Sequence, residues 1–200
     1  MKLYKYIKRL LDILCSAAGI ALLSPLLLLL CILCAADTKA SPFFLQERVG
    51  RKMKNFKIIK FRTMKKSAPA QTPAREIPET EYYLSRFGAW LRKSGADELP
   101  QLFNIFCGQM SFVGPRPLML SEKVLHRERA KRGVYDVRPG LTGLAQIKCE
   151  SIDSVADKAE LDREYTENVS LLFDLKIIFA TFKRFLGGKH IDEHFQSPTE

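Results

Sequence analysis

From Ile13 to Ala36 the chain runs without a charged residue and is dense in leucine. Read as a helix, the run extends about 36 Å, enough for a bilayer core of about 30 Å. It is longer than an ordinary signal-peptide core and ends in Cys34-Ala35-Ala36-Asp37, a weak cleavage site. A buried core helix would carry a polar face, which this run lacks. Ser24-Pro25 lies near its middle. Pro25 has no amide hydrogen and its ring clashes with the carbonyl one turn back, so the pattern predicts a kink or break there. The Ser24 hydroxyl is available to a carbonyl freed in this way. Each half then measures about 16 Å, close to the depth of one leaflet. Lys2, Lys5, Lys8 and Arg9 precede the run, and Lys39, Arg48, Arg51, Lys52 and Lys54 follow it. Cationic flanks stay on the cytoplasmic side, and a straight crossing would export one of them. The flanks favour a re-entrant helix-break-helix over residues 1–36, with a kinked spanning helix as the competing topology.

Beyond the run, Pro42 to Leu45 and Asn55 to Met64 read as short strands joined through a polar turn at Gly50. In the second, Phe56, Ile58, Lys60 and Arg62 share one face by period two, an apolar patch with two cations suited to a diphosphate. Lysine guarding an edge strand is the plainer reading. Lys65 to Thr80 lacks periodicity and reads as a surface loop. Glu81 to Lys93 reads as a helix turning Tyr83, Phe87, Trp90 and Leu91 to a core. Ser94-Gly95-Ala96 ends it, and a helix starting near Asp97 to Pro100 continues through Phe106. Ser154 caps a charged helix to Asn168. Leu171 to Leu186 sets its apolar residues on one side among Lys176, Lys183 and Arg184, favouring an in-plane interfacial helix over a core one. Residues 187–200 read as a flexible tail. The whole is an α+β, mainly helical chain, with residues 37–186 forming one compact catalytic domain that would face the cytoplasm.

Charge sharpens this. Thirty-two Lys and Arg against 22 Asp and Glu give a net charge of +10, which favours anionic partners such as acidic lipid, phosphorylated substrates or nucleic acid. No helix-turn-helix, RNP or zinc-finger signature supports nucleic acid. The five cysteines show no paired spacing of a zinc site and read as reduced.

Candidate chemistry is densest in RKSGADELPQLFNIFCGQMSFVGPRP, Arg92 to Pro117. Asp97-Glu98 sets two carboxylates at a helix start, which taken alone would simply complement the helix dipole. Gly114-Pro115-Arg116-Pro117 and Arg138-Pro139-Gly140 are rigid turns, each holding a guanidinium at low entropic cost. Arginine binds phosphate in a bidentate fork. Carboxylates, helix start and fixed arginines together suit phosphoryl transfer, with the substrate left open.

At these residues the chain resembles the monotopic phosphoglycosyl transferases, the bacterial sugar transferase family, in its short form. The likeness covers Asp12, Ser24-Pro25, KFRTM at Lys60 to Met64, DELPQLFN at Asp97 to Asn104, MSFVGPRP at Met110 to Pro117, VRPGLTGLAQ at Val137 to Gln146, and Asp162, Tyr165, Asn168 and Asp174. It implies a re-entrant membrane helix on the cytoplasmic face of a bacterial inner membrane. It implies a UDP-sugar and polyprenyl (undecaprenyl) phosphate as substrates, with UMP released at the first step of glycoconjugate or exopolysaccharide synthesis. Asp97 would be the nucleophile, forming an aspartyl-phosphosugar, and Glu98 its partner acid, the pair also holding Mg2+. Arg92 and Arg116 would contact phosphate; Lys60, Arg62 and Arg138 would assist with nucleotide or phosphate. A homo-oligomer or contact with downstream glycosyltransferases is left open. Gln109, Leu144 and Glu150 depart from the family pattern, which leaves the sugar unassigned. The alternative is a non-enzymatic basic adaptor binding acidic lipid and partner proteins.

Overall fold

The computed structural model describes residues 2–68, 83–148 and 154–187. The expected loop over 69–80, the helix start at Glu81, the departure at Glu150 and the tail from 188 lie outside them.

Helix α1 spans Lys2–Thr38 and contains Pro25. The two halves expected on either side of Ser24-Pro25 are therefore one continuous helix. The physical reason is local. Pro25 cannot donate to the carbonyl of Ala21, and the Ser24 hydroxyl donates to that same carbonyl at 2.8 Å. The orphaned acceptor is satisfied and the helix carries on.

One face of α1 packs on the domain along nearly its whole length. Asp12, Ser16, Leu30, Cys34 and Thr38 are buried at helical spacing, while Ile20 and Leu23 sit against the cluster of Ile58, Leu102, Ile105 and Met110. Leu30 and Cys34 join Phe61 and Leu91 in a second cluster. The opposite face is apolar and exposed, with Leu22 81% and Leu28 65% accessible.

β1 (Phe43–Val49) and β2 (Asn55–Phe61) form an antiparallel hairpin in which Phe43 faces Phe61 and Val49 faces Asn55. β1 thus runs four residues beyond the expected Leu45. α2 (Arg86–Ser94) begins at the Ser85 cap, which accepts from the Gly88 amide. Leu91 is fully buried, but Trp90 is 55% exposed and stacks on Phe87, so its expected core position is not taken. Gly95 closes α2 in the left-handed region at φ 67°.

A 3-10 turn over Ala96–Glu98 leads to α3 (Gln101–Phe106). β3 (Ser111–Val113) and β4 (Leu118–Met119) follow, β4 joining β1 at Arg48 and Val49. α4 (Lys123–Lys131) leads to β5 (Gly140–Thr142), parallel to β3, and to α5 (Leu144–Ile147). α6 (Val155–Glu167) starts at the predicted Ser154 cap. α7 (Leu171–Leu186) has the expected bounds and buries only Asp174 and Ile177. Phe179, Phe182 and Leu186 are 79%, 63% and 84% exposed, so α7 is not a core helix.

Candidate active site

The site begins with how Ala96–Glu98 turns. In a 3-10 turn successive side chains point about 120° apart, so adjacent residues face different surroundings. Asp97 is 8% exposed and Glu98 turns to β2, where Lys60 Nζ donates to its Oε1 at 2.6 Å. The two carboxylates are therefore not equivalent, as their adjacency on a helix predicts. Burial opposes ionisation of Glu98, but Lys60, Arg116 and Arg48 outweigh it and hold the carboxyl below the usual glutamate value.

Both carboxylates line one cavity of about 660 Å³ with Lys60, Arg62, Arg92 and Arg116. Six of the seven residues singled out from the sequence are thus brought together. Arg92 Nε donates to the Thr63 hydroxyl at 2.9 Å, which ties α2 to the end of β2. Arg62 lies over the ring of Phe44, the cross-strand partner of Lys60, and donates to the carbonyls of Ser41 and Phe43. Arg116 sits in the rigid turn between β3 and β4, its own carbonyl accepting from Arg129 Nη1 at 2.7 Å. Arg129 is held in turn by Asp162, with N–O distances of 2.8 and 2.6 Å and both side chains essentially buried.

Arg138 is the exception. It lies outside the lining, and its Nε donates to the Gly108 carbonyl at 2.8 Å. The Ser111 amide donates to the Pro139 carbonyl and Ser111 pairs with Gly140, which sets Arg138 beside the start of β3, where the Gly108 carbonyl accepts from it.

Several lining residues were not foreseen as site residues. Arg48 is 5% exposed and donates to Pro117 O and Gln46 Oε1 at 3.1 and 2.5 Å. Gln46 and Arg48 stand two apart on one strand, hence on one face, a signal available only once β1 is known to reach Val49. Thr142 and Thr181 hydroxyls meet at 2.7 Å across β5 and α7. Ile178, Phe182 and Phe185 of α7, with Phe61, Leu102 and Leu141, make an apolar part of the lining. The cavity thus combines charged and apolar lining residues.

No group of three or more His, Cys, Asp or Glu side chains suited to a metal is present among the described residues. Asp97 and Glu98 do offer two hard oxygen donors, which fits a magnesium ion held by one or two carboxylates and completed by water and substrate phosphates.

This carboxylate pair, its rigid arginine turn and a long apolar helix define a membrane-associated transferase class. The chain belongs to the bacterial sugar transferase family, whose model matches residues 3–188. It is 37% identical over 188 residues to the exopolysaccharide production protein ExoY of Rhizobium meliloti (strain 1021), covering 87% of this chain and 83% of that protein. It is 35% identical over 195 residues to a UDP-N-acetylgalactosamine-undecaprenyl-phosphate N-acetylgalactosaminephosphotransferase of Aeromonas hydrophila, covering 93% of this chain and 45% of that protein. To a UDP-glucose:undecaprenyl-phosphate glucose-1-phosphate transferase of Klebsiella pneumoniae it is 36% identical over 190 residues, covering 90% and 40%. The chain spans less than half the length of these last two relatives.

Proposed function

We propose that this protein moves a sugar-1-phosphate from a UDP-sugar to polyprenyl phosphate through a covalent intermediate on Asp97. The observation that carries the reading is the cavity in which Asp97 and Glu98 meet Lys60, Arg92 and Arg116. An oxygen of the Asp97 carboxylate attacks the phosphorus bearing the sugar. The bond to the bridging oxygen breaks, and UMP leaves with the electron pair. An oxygen of polyprenyl phosphate then attacks the same phosphorus, giving the polyprenyl-diphosphate sugar and restoring the carboxylate. Dividing the exchange at a covalent stage replaces one difficult step by two easier ones. Arg92 and Arg116 offset the charge of two phosphorylated reactants, and Lys60 keeps Glu98 ionised and oriented. Magnesium bound at Asp97 and Glu98 would offset the diphosphate charge further. The apolar lining from α7 suits the first isoprene units of the lipid acceptor.

Membrane re-entry has its own support. Near the start of α1, Tyr4 and Lys8 bond Asp174 at 2.6 and 2.7 Å, and near its end Asp37 accepts from Ser85 at 2.5 Å. Tying both ends of the helix to one domain favours re-entry over a straight crossing. Cationic residues at both flanks favour the cytoplasmic face for that domain.

The test is UMP release from a UDP-sugar, polyprenyl phosphate and magnesium. Wild type releases UMP, and Asp97→Asn lowers the rate at least about a thousandfold. Intact-mass analysis with the UDP-sugar alone traps a phosphosugar on wild type. Full activity in Asp97→Asn removes the nucleophile; binding of acidic lipid without any turnover favours the adaptor reading instead.

A further inference from the structure

Arg138, left outside the cavity, is part of a second cluster of cations. It meets Arg9 at Gly108, in the left-handed region at φ 80°. Arg138 Nε donates to the Gly108 carbonyl, and a β-carbon placed on Gly108 would lie 3.1 Å from Arg9 Nη2. Arg9 itself donates to the carbonyls of Ile105 and Phe106, both at 2.7 Å. Arg51, on the turn between β1 and β2, donates to the carbonyl of Asp136 at 2.9 Å. Arg9 and Arg138 thus meet at Gly108, and Arg51 joins them from the Asp136 carbonyl, two residues before Arg138.

Like charges gathered in this way cost energy unless an anion offsets them. Among the described residues none of the three forms an ion pair with a carboxylate; the pairs present involve other cations. Asp12 and Asp136 are the acids close by in the fold or the chain; the Oδ1 of Asp12 is engaged by the Ser111 hydroxyl and the Phe112 amide, and the backbone carbonyl of Asp136 takes Arg51. Burial and the charges of Arg9 and Arg51 push Arg138 below its ordinary value, with Asp12 opposing. Backbone carbonyls take one or two N–H groups of each arginine. A guanidinium has five, so Arg51 and Arg138 keep donors in the fork geometry that binds phosphate oxygens.

The surroundings decide which phosphate. Arg9 lies four residues before the uncharged run, about 6 Å along the helix axis from Ile13. Leu10 and Leu14 on α1 are 56% and 57% exposed, and Phe103 and Phe106 on α3 are 39% and 45% exposed. A charged patch bordered by open apolar surface, at the start of the apolar helix, fits a phosphodiester with acyl chains attached. We propose that Arg9, Arg51 and Arg138 form a binding site for the phosphate of an anionic phospholipid, separate from the active-site cavity. The bound headgroup fixes the depth and tilt of the domain at the bilayer. Free phosphate shares the headgroup chemistry but makes no use of the apolar border.

The experiment is native mass spectrometry of the full chain in detergent, counting lipid retained after exposure to equal amounts of phosphatidylglycerol and phosphatidylcholine. Wild type retains one phosphatidylglycerol in preference to phosphatidylcholine. Arg51→Gln and Arg138→Gln each weaken that retention about fivefold, the effect of one cation near an anionic surface. Lys131→Gln removes the same charge from an exposed position on α4 and leaves retention unchanged. Arg51 is exposed, so Arg51→Gln keeps the fold, which its melting curve checks. Equal loss in Lys131→Gln, or retention by both arginine variants at the wild-type level, overturns the site. Competition by millimolar inorganic phosphate with no preference between the two lipids overturns the lipid assignment.

Discussion

Asp162 and Arg129 show how a charge remote from the cavity acts on it. The pair is almost fully buried, and Arg129 also holds the carbonyl of Arg116, whose guanidinium lines the cavity. Removing one partner strands the other in a low-dielectric interior. Asp162→Ala is therefore expected to cost about 3–5 kcal/mol, measured by chemical denaturation. Replacing both residues by apolar ones of similar volume recovers much of that stability but leaves the Arg116 turn without its brace, so KM rises. Glu98 makes a prediction with a defined sign. Lys60 and Arg116 depress its folded-state pKa below the ordinary 4.5. Its ionic contribution is complete above that pH and is lost as the pH falls through the depressed value. The stability difference between wild type and Glu98→Gln should shrink below about pH 4.5; a constant difference down to pH 3 would contradict the pairing with Lys60.

Among the elements, β3 and β5 depend on close backbone approach. A β-carbon on Gly140 would lie 2.1 Å from Gly114 N, and one on Gly143 would lie 2.2 Å from Gly114 O. These contacts set the turn that carries Arg116 against β5. Gly140→Ala forces the strands apart and should cost about 1–3 kcal/mol or more, visible as a lowered denaturation midpoint, with loss of UMP release in step. α7 links two tasks in one helix: Thr181, Ile178, Phe182 and Phe185 line the cavity, while Phe179 and Leu186 remain exposed. Substituting Phe179 by a polar residue should weaken vesicle association with little change in the fold. Its periodicity was readable in the sequence, but the role of its inner edge as an active-site wall was not. That role depends on packing of α7 against the rest of the domain, where Thr142 on β5 meets Thr181 and Ile177 packs with Val113, Leu144 and Tyr165.

For the whole molecule, the membrane helix and the domain share a core instead of standing apart. Leu30 and Cys34 pack with Phe61 and Leu91, and Asp12 bonds to β3. Truncating α1 would expose Phe61, Leu91, Leu102 and Ile105, so the domain without it is expected to aggregate. Re-entry is checked with Lys2→Cys in a background lacking the native cysteines. A membrane-impermeant thiol reagent added to intact cells should fail to label residue 2 or the domain. Labelling at residue 2 would establish a spanning helix while leaving the chemistry intact.

The chain by itself determined the apolar run, the proline problem in its middle, the caps at Ser154 and the carboxylate pair beside fixed arginines. Each follows from local pattern: hydropathy, backbone donors, or residue types confined to a short stretch. Tertiary structure decided the rest. It sent Arg138 to Gly108 and brought Arg48 and Gln46 into the cavity lining, because strand pairing sets which way a side chain points. The continuity of α1 through Pro25, by contrast, has a local cause, the Ser24 hydroxyl donating to the Ala21 carbonyl. Long-range placement depends on contacts between residues 30 to 69 apart in the chain, and no local pattern encodes that.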